Sequence, residues 1–374
     1  MYLKKLLPLG FAATASAQNL TDALASQNSS LSTLNSLLST QPGLVSALAG
    51  ASNITILAPS NEAFGSFLNS SAGKSDAALP DLVAALLTYH VLNGSYPASA
   101  FTNASMFIPT LLTNTSYANV TGGQRVEAMA TNNTVVFTSG LLSTSMVTTA
   151  NINFTGGVIH IVDTVLTIPA SDSSTAAAAN LTSLAGALSA ASLVPTVDSL
   201  SDVTIFAPSN EAFQAIGSAV GNLSTEQLTS ILTYHVVQDI VGYSTLLSNT
   251  SLKTVNGANV TITIEDGDVF VNSAKVITPN VLVNNGVVHV IDGVLNPNAT
   301  SLAPNPSTTS VAFSGASSIS SAPFTSGVAP ATTIASSATA GATSSSSSAG
   351  AAQAIQTGAV GLGALFGGAA LLLI

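Results

Sequence analysis

The stretch TILAPSNEAF at residues 55–64 decides the fold, because it returns almost unchanged as TIFAPSNEAF at residues 204–213. Two further blocks are also repeated: LTYHV at 87–91 and 232–236, and GVIHIVDTVL at 157–166 with GVVHVIDGVL at 286–295. Blocks that recur in one order mark an internal duplication. The sequence therefore predicts two copies of one domain, at residues 18–169 and 171–297.

Each copy combines helical and strand patterns. In the first copy, apolar residues recur at helical spacing over 31–48 and 79–92, whereas the β-branched run at 54–57 predicts a strand. Alternating apolar residues around tight turns predict hairpins at 126–137 and 260–271. Because helical patterns come first and most strand patterns follow, the predicted class is α+β.

The two copies differ in length between their matched histidines. His90 and His160 are 70 positions apart, whereas His235 and His289 are 54 positions apart. The first copy therefore carries additional loop. We expect this insertion near residues 103–118, where N-glycosylation sequons crowd.

The three repeated blocks resemble the signature boxes of the fasciclin-like domain family, in which a Tyr-His pair lies between the first and last boxes. The resemblance extends over both copies and all three boxes. It implies two tandem domains in which a helical layer packs on a β-wedge. It also implies an extracellular role in adhesion or in organising a matrix or wall.

The resemblance singles out Tyr89, His90, Tyr234 and His235 as candidates for contact with an adhesion partner. The residues themselves favour a structural interpretation. Each pair follows an apolar helix and lies between a Thr and a Val, so the Tyr can pack in the core while the His caps a turn. Both hypotheses are carried forward to the structure.

The histidines also raise the question of a metal site. Their matched positions suggest that His90 pairs with His160 and that His235 pairs with His289. Asp163 is three residues beyond His160, but residues three apart on a strand face opposite sides, and zinc sites need three or four ligands. We therefore predict structural histidines, no metal and no cofactor. The hydrolase motifs G-x-S-x-G and H-E-x-x-H are absent, and no catalytic residue is predicted.

Charge is scarce in this chain. Charged residues make up 6% of the sequence, the formal net charge is -10, and there is no Cys. Beyond the first seventeen residues the strong cations are Lys74, Arg125, Lys253 and Lys275, too few to neutralise a run of phosphates. The composition therefore excludes nucleic acid as a partner and excludes disulfides.

Both ends carry processing signals. Residues 1–17 combine Lys4 and Lys5 with a short apolar stretch and small residues, which is typical of a secretory signal peptide. Residues 351–374 combine a neutral spacer with an apolar run that no basic residue follows, which is typical of a glycosylphosphatidylinositol (GPI) attachment propeptide. Ser348 is the candidate attachment residue. A short tail-anchor helix is the alternative.

A spacer precedes this end. Residues 298–350 are rich in Ser, Thr, Ala and Pro and contain no charged residue. This composition predicts a disordered, O-glycosylated stalk. A plain flexible linker is the alternative, and both would act as a spacer.

Sequons for N-glycosylation are spread over both copies, and glycans there would hydrate a surface that has little charge. The candidate sites are Asn28, Asn69, Asn93, Asn103, Asn114, Asn119, Asn132, Asn153, Asn180, Asn222, Asn249 and Asn298. Asn19 also lies in a sequon. Asn53 and Asn259 lie in sequons that fall within predicted strands.

These features predict an extracellular cell-surface glycoprotein that is GPI-anchored to the outer plasma membrane or the cell wall, and they suit a fungal cell surface. Its predicted function is adhesion or matrix and wall organisation. The predicted partners are cell-surface, matrix or wall proteins or glycans, and the membrane through the lipid anchor. The alternative is a surface receptor that binds a carbohydrate or a lipid in a pocket between helices and sheet.

Overall fold

The computed structural model describes residues 18–70, 73–74, 79–299, 303–304 and 312–328. The predicted signal peptide, the GPI propeptide with Ser348, and much of the predicted stalk lie outside the described residues. No helix among the described residues is long and apolar enough to cross a membrane. Each sequence repeat forms one domain of helices packed on a curved sheet.

Domain 1 opens with helices and ends with strands, as the sequence patterns predict. Its described helices are α1 (Leu20–Ser26), α2 (Asn28–Ser39), α3 (Pro42–Gly50), α4 (Asn61–Asn69) and α5 (Pro80–Tyr89). Its strands are β1 (Ile54–Pro59), β2 (Val91–Asn93), β3 (Met106–Pro109), β4 (Arg125–Thr131), β5 (Thr134–Thr138), β6 (Thr144–Phe154) and β7 (Gly157–Val162).

Domain 2 repeats this order of helices and strands. Its described helices are α6 (Asp172–Ala178), α7 (Thr182–Ala190), α8 (Val194–Ser199), α9 (Asn210–Ala215), α10 (Gly217–Val220) and α11 (Thr225–Tyr234). Its strands are β8 (Val203–Pro208), β9 (Val236–Val237), β10 (Thr250–Lys253), β11 (Asn259–Glu265), β12 (Asp268–Val271), β13 (Ala274–Val283) and β14 (Gly286–Ile291).

The first and last repeated blocks form the second and third strands of each sheet, next to one of its edges. In domain 1 the strand order is β2-β1-β7-β6-β5-β4-β3, and domain 2 has the matching order β9-β8-β14-β13-β12-β11-β10. The first and last blocks are neighbouring parallel strands, with Leu57 opposite His160 and Phe206 opposite His289. A bridge between Leu92 and Thr110 links the two edges of the first sheet, which makes it barrel-like.

The polar residues of the first block hold strand and helices together. Ser60 caps α4 by accepting a hydrogen bond from the Ala63 amide at 3.1 Å, which satisfies a free N–H of the first turn. Asn61 Oδ1 accepts from the Thr33 amide at 2.9 Å and ties α4 to α2. In domain 2, Asn210 makes the same contact. This one block therefore provides a strand, the N-cap of the helix that follows, and the hydrogen bond that ties this helix to an earlier one.

The predicted hairpins are confirmed. Strands β4 and β5 join through Asn132 and Asn133, at φ of 50° and 63°. Strands β11 and β12 join through Asp266 and Gly267, at φ of 52° and 88°. Positive φ at both central residues is what a two-residue hairpin turn requires, and Asn, Asp and Gly adopt it most readily.

The insertion in domain 1 lies slightly later than expected. The predicted segment 103–118 contains β3, which has a counterpart in β10 of domain 2. Most of the additional length is instead in the connection 110–124 between β3 and β4, because the matching connection in domain 2 spans only 254–258. The connection 139–143 between β5 and β6 is also longer than its counterpart at 272–273. We call residues 110–124 the arm.

Part of the predicted stalk is packed on domain 2. Residues 312–328 lie against its helices, and Phe313, Ala316, Phe324 and Val328 contact the hydrophobic core of that domain. The spacer predicted from residue 298 therefore includes a segment that belongs to the folded head.

Candidate functional site

The Tyr of each Tyr-His pair lies at the end of a helix and points into the core. Tyr89 is the last residue of α5, is fully buried, and donates from its hydroxyl group to the carbonyl of Arg125 at 2.9 Å. Tyr234 at the end of α11 is also fully buried and donates to the carbonyl of Asn259 at 2.8 Å. Each Tyr therefore links the helical layer to the far side of its sheet.

The adjacent histidine makes a second link. His90 Nε2 accepts from the Leu166 amide at 2.9 Å, so the proton of the neutral ring is on Nδ1, which donates to the Leu86 carbonyl at 2.7 Å. The ring thereby satisfies a carbonyl in the last turn of α5. It also fastens this helix to the chain that follows β7.

Domain 2 reproduces this arrangement atom for atom. His235 Nδ1 donates to the Ile231 carbonyl at 2.7 Å, and its Nε2 accepts from the Leu295 amide at 2.9 Å. Burial lowers the pKa of both His90 and His235 to about 4, against the weaker opposing effect of the backbone hydrogen bond. Both rings are therefore neutral at physiological pH.

This burial decides what the pairs can do in the folded chain. His90 and His235 expose 4% and 2% of their surface, and both tyrosines expose none. The geometry thus matches the structural interpretation, in which the pairs join helix to sheet. Contact of Tyr89, His90, Tyr234 or His235 with an adhesion partner stays a prediction, and it would require the domain to open.

The second histidine of each domain is equally engaged. His160 Nε2 donates to the Tyr96 carbonyl at 2.8 Å, and its Nδ1 accepts from the Asn151 amide at 3.2 Å. His289 donates to the Gly242 carbonyl at 2.8 Å in the same way. Burial lowers the pKa of both rings. No group of three or more His, Cys, Asp or Glu side chains suited to a metal occurs in the described ranges.

The arm of domain 1 binds domain 2. Asn119 Nδ2 donates to the Leu200 carbonyl at 2.9 Å. Thr121 donates two hydrogen bonds to the carboxylate of Asp202, one from its amide at 2.7 Å and one from its hydroxyl group at 2.6 Å. Hydrogen bonds to a charged acceptor are the stronger kind. The arm therefore anchors one domain to the other through a fixed set of polar contacts.

An apolar and buried contact completes this interface. Phe107 stacks on Tyr243 with ring centroids 4.3 Å apart. Gln124, which is fully buried, donates from Nε2 to the Val283 carbonyl at 3.0 Å. Stacked aromatic pairs and buried satisfied amides both stabilise an interface beyond the area that they cover. The two domains thus form one head.

Most sequons are placed on the surface of this head. The exposed candidate asparagines are Asn28, Asn69, Asn93, Asn103, Asn114, Asn132, Asn153, Asn180, Asn222, Asn249 and Asn298. Asn119 differs, because its Nδ2 is the atom to which a glycan would be attached and it already contacts Leu200. A glycan on Asn119 would therefore have to be accommodated at the interface between the domains. Asn53 precedes β1 rather than lying in it, and Asn259 is the exposed first residue of β11.

Matched pockets lie between helices and sheet, one beside His90 and one beside His235. Both are lined mainly by apolar side chains. Their cavity volumes are about 20 Å³ in domain 1 and about 30 Å³ in domain 2. Because a single water needs roughly 10–15 Å³ measured in this way, neither pocket holds a sugar ring or an acyl chain in this conformation.

A buried carboxyl group in domain 2 escaped the sequence reasoning. Asp172 exposes 5% of its surface, and its Oδ2 accepts from Asn285 Nδ2 at 2.8 Å. Burial raises the pKa of Asp172 to about 8, and the nearby Asp198 adds to this while the Asn285 hydrogen bond opposes it. Asp172 Oδ1 and Asn285 Oδ1 are both buried without a hydrogen-bond partner. In the sequence, Asp172 looks like an ordinary first-turn acid, so only the packing reveals it.

Fold and site together define a duplicated α+β protein in which two barrel-like domains, each pinned by an internal Tyr-His pair, are joined into one head. The chain belongs to the fasciclin domain family, whose pattern matches residues 29–169 and 179–297. The resemblance inferred from the three boxes is thereby confirmed.

Fungal proteins are among the relatives of this chain. A fasciclin-like arabinogalactan protein of Arthroderma benhamiae is 37% identical over 68% of this chain and 61% of its own length, so this chain spans less than two thirds of that relative. The fasciclin-like arabinogalactan protein elcF of Phaeosphaeria nodorum is 33% identical over 78% of this chain and 92% of its own length.

A solved structure with the same domain type comes from an insect. The FAS1 domain pair of the insect cell adhesion molecule fasciclin I is 17% identical to this chain, with a TM-score of 0.34, and the match covers 74% of this chain and 97% of that one. Membership of this family indicates an extracellular role of the adhesion or wall type.

Proposed function

We propose that this chain is a cell-surface adhesion or wall-organising glycoprotein whose adhesive unit is the joined two-domain head. The observation that carries the proposal is the interface made by the arm, in which Asn119 and Thr121 bind Leu200 and Asp202. It converts two copies of an adhesion-type domain into one body that presents two similar surfaces in a fixed relation.

Such a head gains strength by multivalency. When two binding surfaces are linked, the second contact forms at a high effective concentration, so each contact can be weak. A fixed spacing adds to this, because less conformational freedom is lost when both surfaces engage. The outer surface, rather than the buried Tyr-His pairs, is then the adhesive part.

The remaining features fit a role outside the cell. The exposed sequon asparagines would carry glycans that hydrate a chain with 6% charged residues. The sequence pattern of residues 351–374 supports a GPI anchor attached near Ser348. Partners would be proteins or glycans of a cell surface, matrix or wall. The proposal assigns no catalytic residue, metal or cofactor.

A bead assay tests this proposal. Beads coated with the two-domain head should attach to the surface of the producing cells, and beads coated with domain 1 or domain 2 alone should attach much less. Asp202→Ala removes the carboxylate that accepts two hydrogen bonds from Thr121. Because this loosens the contact between the domains, attachment should fall toward the level of single-domain beads. Asp239→Ala is the matched control, because Asp239 is an exposed loop residue of the same domain with a similar positive φ of 64°, against 51° for Asp202.

The bead results test the adhesion proposal and the claim of a joined head separately. If two-domain beads attach no better than bare beads, the adhesion proposal fails. If single-domain beads attach as well as two-domain beads, adhesion survives and the claim of a joined head fails.

A further inference from the structure

Residues 312–328, which we call the strap, are bound to the helical face of domain 2. Ser218 donates from its amide to the Ser317 carbonyl at 3.1 Å, and Ser317 donates back from its amide to Ser218 Oγ at 2.8 Å. The Ile319 amide donates to the Gln214 carbonyl at 3.1 Å. These bonds fix the register of the strap against α9 and α10.

An aromatic residue anchors the strap in the core. Phe324 packs edge-on against Phe213, with ring centroids 6.2 Å apart and an interplanar angle of 85°. Phe213 is the last residue of the repeated block in domain 2, so the strap reaches a central side chain of that domain. Phe324 also adopts a φ of 61°, which is unusual for a bulky residue and persists only where the surroundings determine it.

Two glycines make room for the strap. A Cβ atom on Gly186 of α7 would overlap the carbonyl oxygen of Phe324. A Cβ atom on Gly217 of α10 would overlap the side chain of Ile319. The strap therefore lies directly on the helix backbones, at a distance that other residues at these positions would prevent.

Domain 1 lacks this groove. The Asn of the first block accepts from the Thr33 amide in domain 1 and from the Ser183 amide in domain 2. Three residues further along each helix, Gly186 therefore corresponds to Ser36. Counted from the last Phe of the block, Gly217 corresponds to Leu68. Because a Cβ atom at either glycine would overlap the strap, the side chains at these positions in domain 1 would prevent a segment from binding in the same way. The groove is therefore a property of the second copy.

We propose that the groove formed by α7, α9 and α10 is a binding site for an extended, uncharged segment of small residues with one aromatic anchor, and that its occupant is the strap of the same chain. The C-terminal part of the chain then leaves the head from the helical face of domain 2, after residue 328. Tension applied to that end acts first on the strap contacts and reaches β14 only after they break.

Amide hydrogen exchange in the whole secreted protein tests the contact. In the wild type, the Ser317 and Ile319 amides should exchange slowly. Phe324→Ala removes the anchor, and Gly217→Leu installs the residue of domain 1, so each should speed exchange in the strap at least about tenfold. Gly221→Ala is the matched control, because a Cβ at Gly221 meets no atom within 4 Å, and it should leave exchange unchanged.

Cleavage tests whether the groove is a true binding site. With a protease site inserted within residues 305–311, the cut C-terminal piece should stay bound to the head during gel filtration, and it should be lost from the Phe324→Ala and Gly217→Leu forms. Phe324 lies outside the repeated domain, so its replacement leaves the domain able to fold. Strap amides that exchange as fast as a free peptide, with a cut wild-type piece that separates from the head, would overturn the proposal.

Discussion

Lowering the pH from 7 to 4 should destabilise the head through its buried histidines. Burial lowers the pKa of His90, His235 and His289 to about 4, whereas an unfolded imidazole has a pKa of about 6.5. A group with a depressed folded pKa contributes stability above its unfolded pKa and loses it as the pH falls toward the folded value. Each ring should therefore cost about 3 kcal/mol of unfolding free energy between pH 6.5 and 4.

Urea unfolding at pH 7, 5.5 and 4.5 measures this loss. His90→Gln should lower the stability of domain 1 at pH 7, because the Gln cannot replace both hydrogen bonds, but it should reduce the further loss on acidification. The same comparison with His235→Gln reports on domain 2. A free energy of unfolding that stays constant from pH 7 to 4.5 would show that these rings reach solvent, in conflict with their burial.

Replacing Asp172 by Asn should stabilise domain 2 at pH 8 by on the order of 5 kcal/mol and should change little at pH 4. The folded pKa of Asp172 is raised to about 8, so its favourable contribution is complete below the unfolded pKa and is lost as the pH rises through 8. Ionised Asp172 leaves a buried charge with one hydrogen bond, from Asn285 Nδ2 to its Oδ2. An Asn at position 172 keeps an oxygen to accept that bond and carries no charge at any pH.

A control variant, Asp198→Asn, and the effect of Asp172→Asn on acid stability make the Asp172 test specific. Asp198→Asn removes the same charge from the neighbouring carboxylate, which accepts from the Ser173 amide and hydroxyl group, and it should not stabilise the domain in this way. Protonated Asp172 offsets part of the destabilisation that the histidines cause in acid. Asp172→Asn should therefore make the free energy of unfolding of domain 2 fall more steeply between pH 6.5 and 4. Equal stability of wild type and Asp172→Asn at pH 8 would contradict the buried protonated carboxyl group.

Much of the fold could be predicted because the repeated blocks encode local structure. Pro59, Ser60 and Asn61 end a strand and begin a helix within three residues, and alternation around Asn132 and Asn133 specifies a hairpin. The Tyr-His pairs were ambiguous for a physical reason. The partner of His90 is the amide of Leu166, 76 residues away, and no local pattern reports a contact of that separation.

The interface and the strap show where composition misleads. The sequence predicts additional length in domain 1, but it does not show that this length contacts Leu200 and Asp202 in the other copy. The strap lies in a segment whose Ser, Thr and Ala content predicts disorder. Phe313 and Phe324 were the available signal there, since an aromatic side chain in such a segment gains stability only by packing.

Bead attachment of a Tyr89→Phe, Tyr234→Phe double variant tests most directly whether adhesion uses the outer surface of a head that the Tyr-His pairs hold together from inside. Tyr89→Phe removes the hydrogen bond to the Arg125 carbonyl, and Tyr234→Phe removes two, one to the Asn259 carbonyl and one from Asn272 Nδ2. Each bond is worth about 1 kcal/mol, so the melting temperature should fall. At a temperature where both proteins stay folded, variant beads should attach as well as wild-type beads. A folded double variant that no longer attaches would place the tyrosine hydroxyl groups in contact with the partner and contradict this account.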